Sequence, residues 1–200
     1  MVHTAVLLKN TTPYPWRLFD MRSHWNFKEK EVDTVFIFSN SKEVELFQNG
    51  KSLGRKKVDP NENKAIYTVT YKKGELVSKA YDGIEVIATH TLKTAQKPFK
   101  LGLTNQRPSA NKEQLLFLTL EVQDKKGICV PYADNDITIK VEGGELIGLD
   151  SGDPFSHELF KQNHRKAYEG KLLVTIRPLN MGTIKVTCIA DGLKQTELTI

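Results

Sequence analysis

The sequence predicts an all-β protein: two antiparallel β-sandwiches in tandem, preceded by a mostly irregular N-terminal segment. Three observations carry this. Helical periodicity is nearly absent from the 200 residues. Short runs rich in Val, Ile, Thr, Phe and Tyr recur between turn signals, the pattern of packed antiparallel strands and not of alternating βα units. A polar, proline-bearing stretch, "KTAQKPF" (93–99), separates the runs into two groups and reads as a linker.

Taken in order, residues 1–32 contain "TPYPWRLFDMRSHWNFKEKE", with Trp16, Trp25, Phe19, Phe27 and two prolines but no clear period. We read this stretch as irregular. The first strand group is "DTVFIFS" (33–39), "EVELFQ" (43–48), "AIYTVTY" (65–71), "ELVSKAY" (75–81) and "IEVIATHTL" (84–92). The intervening "SNSK", "QNGK", "KKGE" and "YDGI" supply Gly, Asn or Asp where the chain must reverse. Asn49-Gly50 is the sharpest of these signals, because both central residues of a two-residue hairpin turn need positive φ. The second group is "KLGLTN" (100–105), "LLFLTLEVQD" (115–124), "DITIKVEG" (136–143), "KLLVTIRP" (171–178), "GTIKVTCIA" (182–190) and "KQTELTI" (194–200). Leu116, Leu118, Leu120 and Val122 should face one core, with Ile137, Ile139 and Val141 opposite. Each half then has at least five strands, enough for an immunoglobulin-like sandwich.

The composition narrows the function. Hydrophobic residues make up 39% and charged residues 26%, a globular balance. No apolar run approaches the ~20 residues of a membrane span, and "MVHTAVLLKN" lacks the basic region and cleavage site of a signal peptide. The net charge of +5 is confined to residues 1–97, with 16 Lys and Arg against 11 Asp and Glu; the remainder holds 13 of each. The lysines are scattered beside turn signals, so they read as solvated hairpin ends and not as a nucleic-acid face. Cys129 and Cys188 form no metal-ligand spacing. Cys188 is in phase with Ile184 and Val186 and should be buried and free.

Two stretches carry a resemblance. "SHWNF…VDTVFIFSNSKEVELFQNGKSLGRKK" resembles the domain that follows the catalytic barrel in bacterial family 2 glycoside hydrolases, the β-galactosidase-like enzymes. The family's "ELF-NGKSLG" is matched by Glu45-Leu46-Phe47 and Asn49 to Gly54. His24 to Phe27 reads "HWNF" where the family often has "HWNW". "KTAQKPFKLGL" is similar to the family's "TAGKP" joint, with Gln96 in place of Gly. "VPYADNDITIKVEGGELIGLDSGDPFSHELFKQNHRKAYEGKLLVTIRP" (130–178) resembles the C-terminal immunoglobulin-like domain of the same enzymes. The resemblance implies three parts: residues 1–32 leading out of a catalytic barrel, a first immunoglobulin-like sandwich over 33–95, and a second over 96–200. It also implies that the two catalytic glutamates lie in the barrel of the same parent polypeptide, outside this sequence. That barrel is then the expected partner, with carbohydrate and homo-oligomer contacts as further expectations. No nucleic acid, membrane, cofactor or metal is expected.

Clusters that could carry chemistry were weighed against that expectation. Retaining glycoside hydrolysis needs two carboxyl groups ~5–5.5 Å apart. Glu142 and Glu145 flank Gly143-Gly144, and Asp150 and Asp153 flank Ser151-Gly152. Both pairs fall at turns, where carboxylates commonly accept from nearby backbone N–H groups. His157 and His164 lack a third ligand, and Ser151 and Ser156 have no nucleophile elbow. Sugars stack on exposed aromatic rings, which makes Trp16, Trp25 and Tyr132, with Tyr14, candidates for glycan contact. Burial is the commoner fate of such rings. Two other readings of the sequence are a carbohydrate-binding module built on these aromatics and a cell-surface adhesion pair.

Overall fold

The computed structural model describes residues 1–8, 21–28, 32–106, 115–179 and 182–200. These contain strands and turns but no α-helix. They divide into two compact units, Met1–Thr94 and Ala95–Ile200. Each is built from two four-stranded antiparallel sheets, so the all-β sandwich expectation is met.

The first unit contains β1 (Val2–Leu8), β2 (Met21–Arg22), β3 (Val32–Ser39), β4 (Glu43–Gln48), β5 (Lys51–Lys57), β6 (Lys64–Thr68), β7 (Glu75–Asp82) and β8 (Glu85–Lys93). The sheets run β2-β1-β3-β6 and β5-β4-β7-β8. The anticipated hairpin is present. Gln48 pairs with Lys51, and Asn49 and Gly50 have φ of 50° and 78°, as a two-residue turn requires. The Asn49 side chain then reaches sideways, accepting from the Glu75 N–H at 2.8 Å and donating to Lys73 O at 3.1 Å. Between the sheets, Val35, Ile37, Val44, Leu46 and Leu76 form an apolar core. Tyr67 crosses it and donates to Val44 O at 3.0 Å. Burial pushes its phenol up to about 12.

One expectation is corrected here. Residues 1–32 are not irregular throughout: β1 pairs continuously with β3, from Val2 opposite Ser39 to Leu7 opposite Thr34. Its inward set includes the fully enclosed Thr4, a polar residue that hides the period-2 signal. Thr4 is tolerated because its hydroxyl bonds Ser78 Oγ on β7 at 2.6 Å, joining the two sheets through their core. The amide of Thr4 donates to His90 Nδ1 at 3.1 Å, so an imidazole on β8 occupies the β1 edge that has no strand partner there among the described residues.

The second unit contains β9 (Lys100–Asn105), β10 (Leu116–Gln123), β11 (Asp136–Glu142), β12 (Gly144–Asp150), β13 (His164–Lys166), β14 (Lys171–Pro178), β15 (Lys185–Ile189) and β16 (Thr196–Thr199). Its sheets run β12-β14-β10-β9 and β13-β11-β15-β16. Leu116, Leu118, Leu120 and Val122 are buried, and Ile137 and Ile139 share their core with Val141 at its margin. Strand β12 was not anticipated. Only Gly143 separates it from β11, yet the two strands belong to different sheets. Gly143 makes that crossing with φ of +75°, and a Cβ there would lie 2.2 Å from Thr183 O. A pair of glycines that reads as a turn is therefore a switch between layers. Cys188 is buried and free, and burial raises its thiol to about 12.

Candidate functional site

The sequence candidates for glycan contact separate on inspection. Trp25 is 0% exposed. Its indole N–H donates to Lys72 O at 3.0 Å, and its ring packs edge-on against Tyr71 and Phe27 at centroid distances of 4.9 and 6.0 Å. Its carbonyl accepts from Thr94 Oγ1 at 2.7 Å. Neither face is open to a sugar, so Trp25 is a core residue and its candidacy is withdrawn. Trp16 and Tyr14 lie outside the described residues. Tyr132 is 60% exposed, and its hydroxyl donates to Gln96 O at 3.2 Å, which orients an accessible ring.

Three of the four candidate carboxylates are engaged locally. Glu142 and Glu145 sit on β11 and β12 in opposite sheets. Glu145 is held by Arg177 at 2.8 Å, and Glu142 stands in register with Lys185. Asp150 Oδ1 accepts from the Gly152 N–H and Asp153 Oδ1 from the Phe155 N–H, both at 2.9 Å. These are the Asx turns anticipated for "DSGD". His164 Nδ1 lies 3.2 Å from Asp136 Oδ1. Among the described residues, no three His, Cys, Asp or Glu side chains are grouped so as to hold a metal ion.

Three polar arrangements were missed by sequence reasoning. Asp124 is fully enclosed and accepts from the backbone N–H groups of Gln96, Lys126 and Ile128 at 2.8 to 3.0 Å. Burial alone would raise its pKa, but the N–H donors from Gln96, Ile128 and Lys126 outweigh it and hold the carboxyl below its ordinary value. Arg165 is 2% exposed. Its guanidinium donates to Glu158 O at 3.1 Å and lies 4.9 Å from the Phe160 ring centroid. On the first unit, Glu45 accepts from Ser52 Oγ at 2.5 Å and from the Tyr81 hydroxyl at 2.8 Å. Arg55 covers the Tyr81 ring at 3.9 Å. The Ser52 bond is the largest influence on Glu45, and with Tyr81 and Arg55 it lowers the carboxyl against the opposing effect of burial. All three arrangements stitch loops and strands to one another, and their bonding capacity is spent inside the fold.

The chain is a pair of β-sandwiches whose turn carboxylates close loops and whose enclosed charges brace them. The chain belongs to glycoside hydrolase family 2: the model for glycoside hydrolase family 2 C-terminal domain 5 matches residues 99–199, and a domain of unknown function, DUF4982, matches residues 30–88. It is 38% identical over 182 residues to the β-galactosidase BoGH2A of Bacteroides ovatus, an alignment covering 88% of this chain and 21% of that protein. A family 2 glycosyl hydrolase of Bacteroides cellulosilyticus superposes with a TM-score of 0.81 at 31% identity, covering all of this chain and 28% of the other. A β-glycosidase from Bacteroides vulgatus superposes with a TM-score of 0.82 at 27% identity, covering 100% and 24%. The chain thus spans about a fifth of the length of the curated relatives it matches, and it corresponds to their non-catalytic C-terminal region.

Proposed function

We infer that this chain is the accessory C-terminal region of a longer β-galactosidase-like glycosidase and holds a catalytic barrel from outside. The observation that carries this is the match of nearly the whole chain to a fifth of a β-galactosidase, together with carboxylates committed to turns and ion pairs. A retaining glycosidase needs an acid and a nucleophile on either side of a sugar, whereas Asp150 and Asp153 close local turns and Glu145 is held by Arg177. The purified chain is expected to leave aryl β-galactosides and β-glucuronides intact, while the full-length parent cleaves one of them or a related glycoside. Turnover by the chain alone, lost on mutating Glu142, Glu145, Asp150 or Asp153, would overturn the reading.

Tyr132 supports a second, narrower role. Its exposed and oriented ring suits contact with a glycan at the rim of such an enzyme, with Trp16 as a second candidate. Titration with galacto- and gluco-oligosaccharides should broaden Tyr132 ring resonances if it makes that contact. Subunit contacts remain a third task open to these sandwiches.

A further inference from the structure

The loop from Ser151 to Asn163 joins β12 in one sheet to β13 in the other. It carries three large apolar side chains within six residues, with Phe155 83%, Leu159 72% and Phe160 59% exposed. Together they present about 400 Å² of apolar surface, given roughly 200 Å² for a large side chain. Patches of that size on soluble domains are often functional.

The loop is held from several sides. Leu149 N–H on β12 donates to Phe160 O at 2.9 Å, and Ile139 N–H on β11 donates to Asn163 O at 2.7 Å. The enclosed Arg165 donates to Glu158 O, and its Nε lies 3.4 Å from Ser151 Oγ. Asp153 and Ser156 close local turns through the Phe155 and Glu158 amides. An apolar projection fixed in this way loses little conformational freedom on docking. With only Asp153, Glu158 and Lys161 as formal charges across residues 151–163, it offers little electrostatic steering and suits a lasting contact.

We propose that Phe155, Leu159 and Phe160 dock this unit onto a domain of its own parent polypeptide outside these 200 residues. This rests on the accessory-region reading above. Two quantities select that occupant. A stable dimer buries about 800 Å² on each partner, twice what the loop presents, so a second copy of the chain is under-supplied. A domain on the same polypeptide needs less area, because the tether supplies a high effective concentration. Relatives carry about four fifths of their length outside the matched region, enough to provide such a domain.

Hydrogen exchange tests the assignment. Amides 155–160 are expected to exchange about tenfold more slowly in the full-length enzyme than in the 200-residue chain. Phe155→Ser/Leu159→Ser/Phe160→Ser should return them to the faster rate while β10 and β14 keep theirs. Phe155→Ser alone, at the most exposed of the three positions, supplies a milder variant that should lose part of the protection. Equal rates in the two wild-type proteins overturn the proposal. So does a dimer of the isolated chain that the triple variant abolishes, since a second copy is then the occupant. A full-length protein without glycosidase activity overturns the accessory-region reading, whereas an active enzyme with an unprotected loop overturns the docking alone.

Discussion

Gly50 and Asp124 show how differently single residues can announce themselves. Asn49-Gly50 was legible because its turn chemistry is local: two adjacent residues must take positive φ, and few other dipeptides do so. No atom lies within 4 Å of a Cβ built on Gly50, so Gly50→Val tests backbone strain alone. It is expected to cost about 1–2 kcal/mol, measured as a lower denaturation midpoint. Asp124 was not legible, since its partners are backbone N–H groups brought together by folding. Asp124→Ala leaves three such donors without their carboxylate and should cost roughly 2–3 kcal/mol. Because the folded carboxyl sits below its ordinary 3.8, its stabilisation is present above that pH and is lost as pH falls through the folded value. Acid titration of unfolding in wild type and Asp124→Ala should therefore bring the two closer together at low pH. Trp25 failed as a glycan candidate for a related reason: type and neighbours along the chain do not state whether a ring faces water or Tyr71.

At the scale of elements, most strands were read from their alternation, whereas β1 and β12 were not. Strand β10, with four inward apolar residues at period two, was unmistakable. Strand β1 escaped because enclosed Thr4 depends on Ser78, 74 residues away. Strand β12 escaped because Gly143 changes sheets where the Gly-Gly pair read only as a turn. The seating of β1 also has a pH signature. The Thr4 N–H needs an unprotonated His90 Nδ1. Burial, with a smaller contribution from neighbouring His3, lowers the His90 pKa below its ordinary 6.5; the two rings lie 4.8 Å apart. The unfolded state therefore takes up a proton first as pH falls, and the stabilisation present above 6.5 is lost on going down through the folded value. The melting temperature of the first unit should drop between pH 7 and pH 5, and His90→Gln should flatten that dependence. An identical pH profile in the variant would exclude His90 as the titrating group.

On the scale of the whole molecule, we propose that the second unit folds by itself when cut at Ala95. The Gln96 amide is held by Asp124, Phe99 N–H by Gln123 O, and Lys194 N–H by Phe99 O, so the linker stretch belongs to this unit from Ala95 onward. Expressed alone, residues 95–200 should give dispersed amide resonances and a single cooperative transition; a molten product would show that the unit needs more of the chain. The first unit faces a harder problem during synthesis. Its opening strand is completed by His90, 86 residues later. At translation rates of roughly 5–20 residues per second, β1 waits on the order of ten seconds for that partner. Until β7 and β8 have been made, the inward face of β1 lacks strands that pack against it, so slower elongation before His90 should lengthen the time in which chaperones or neighbouring chains can capture the nascent polypeptide.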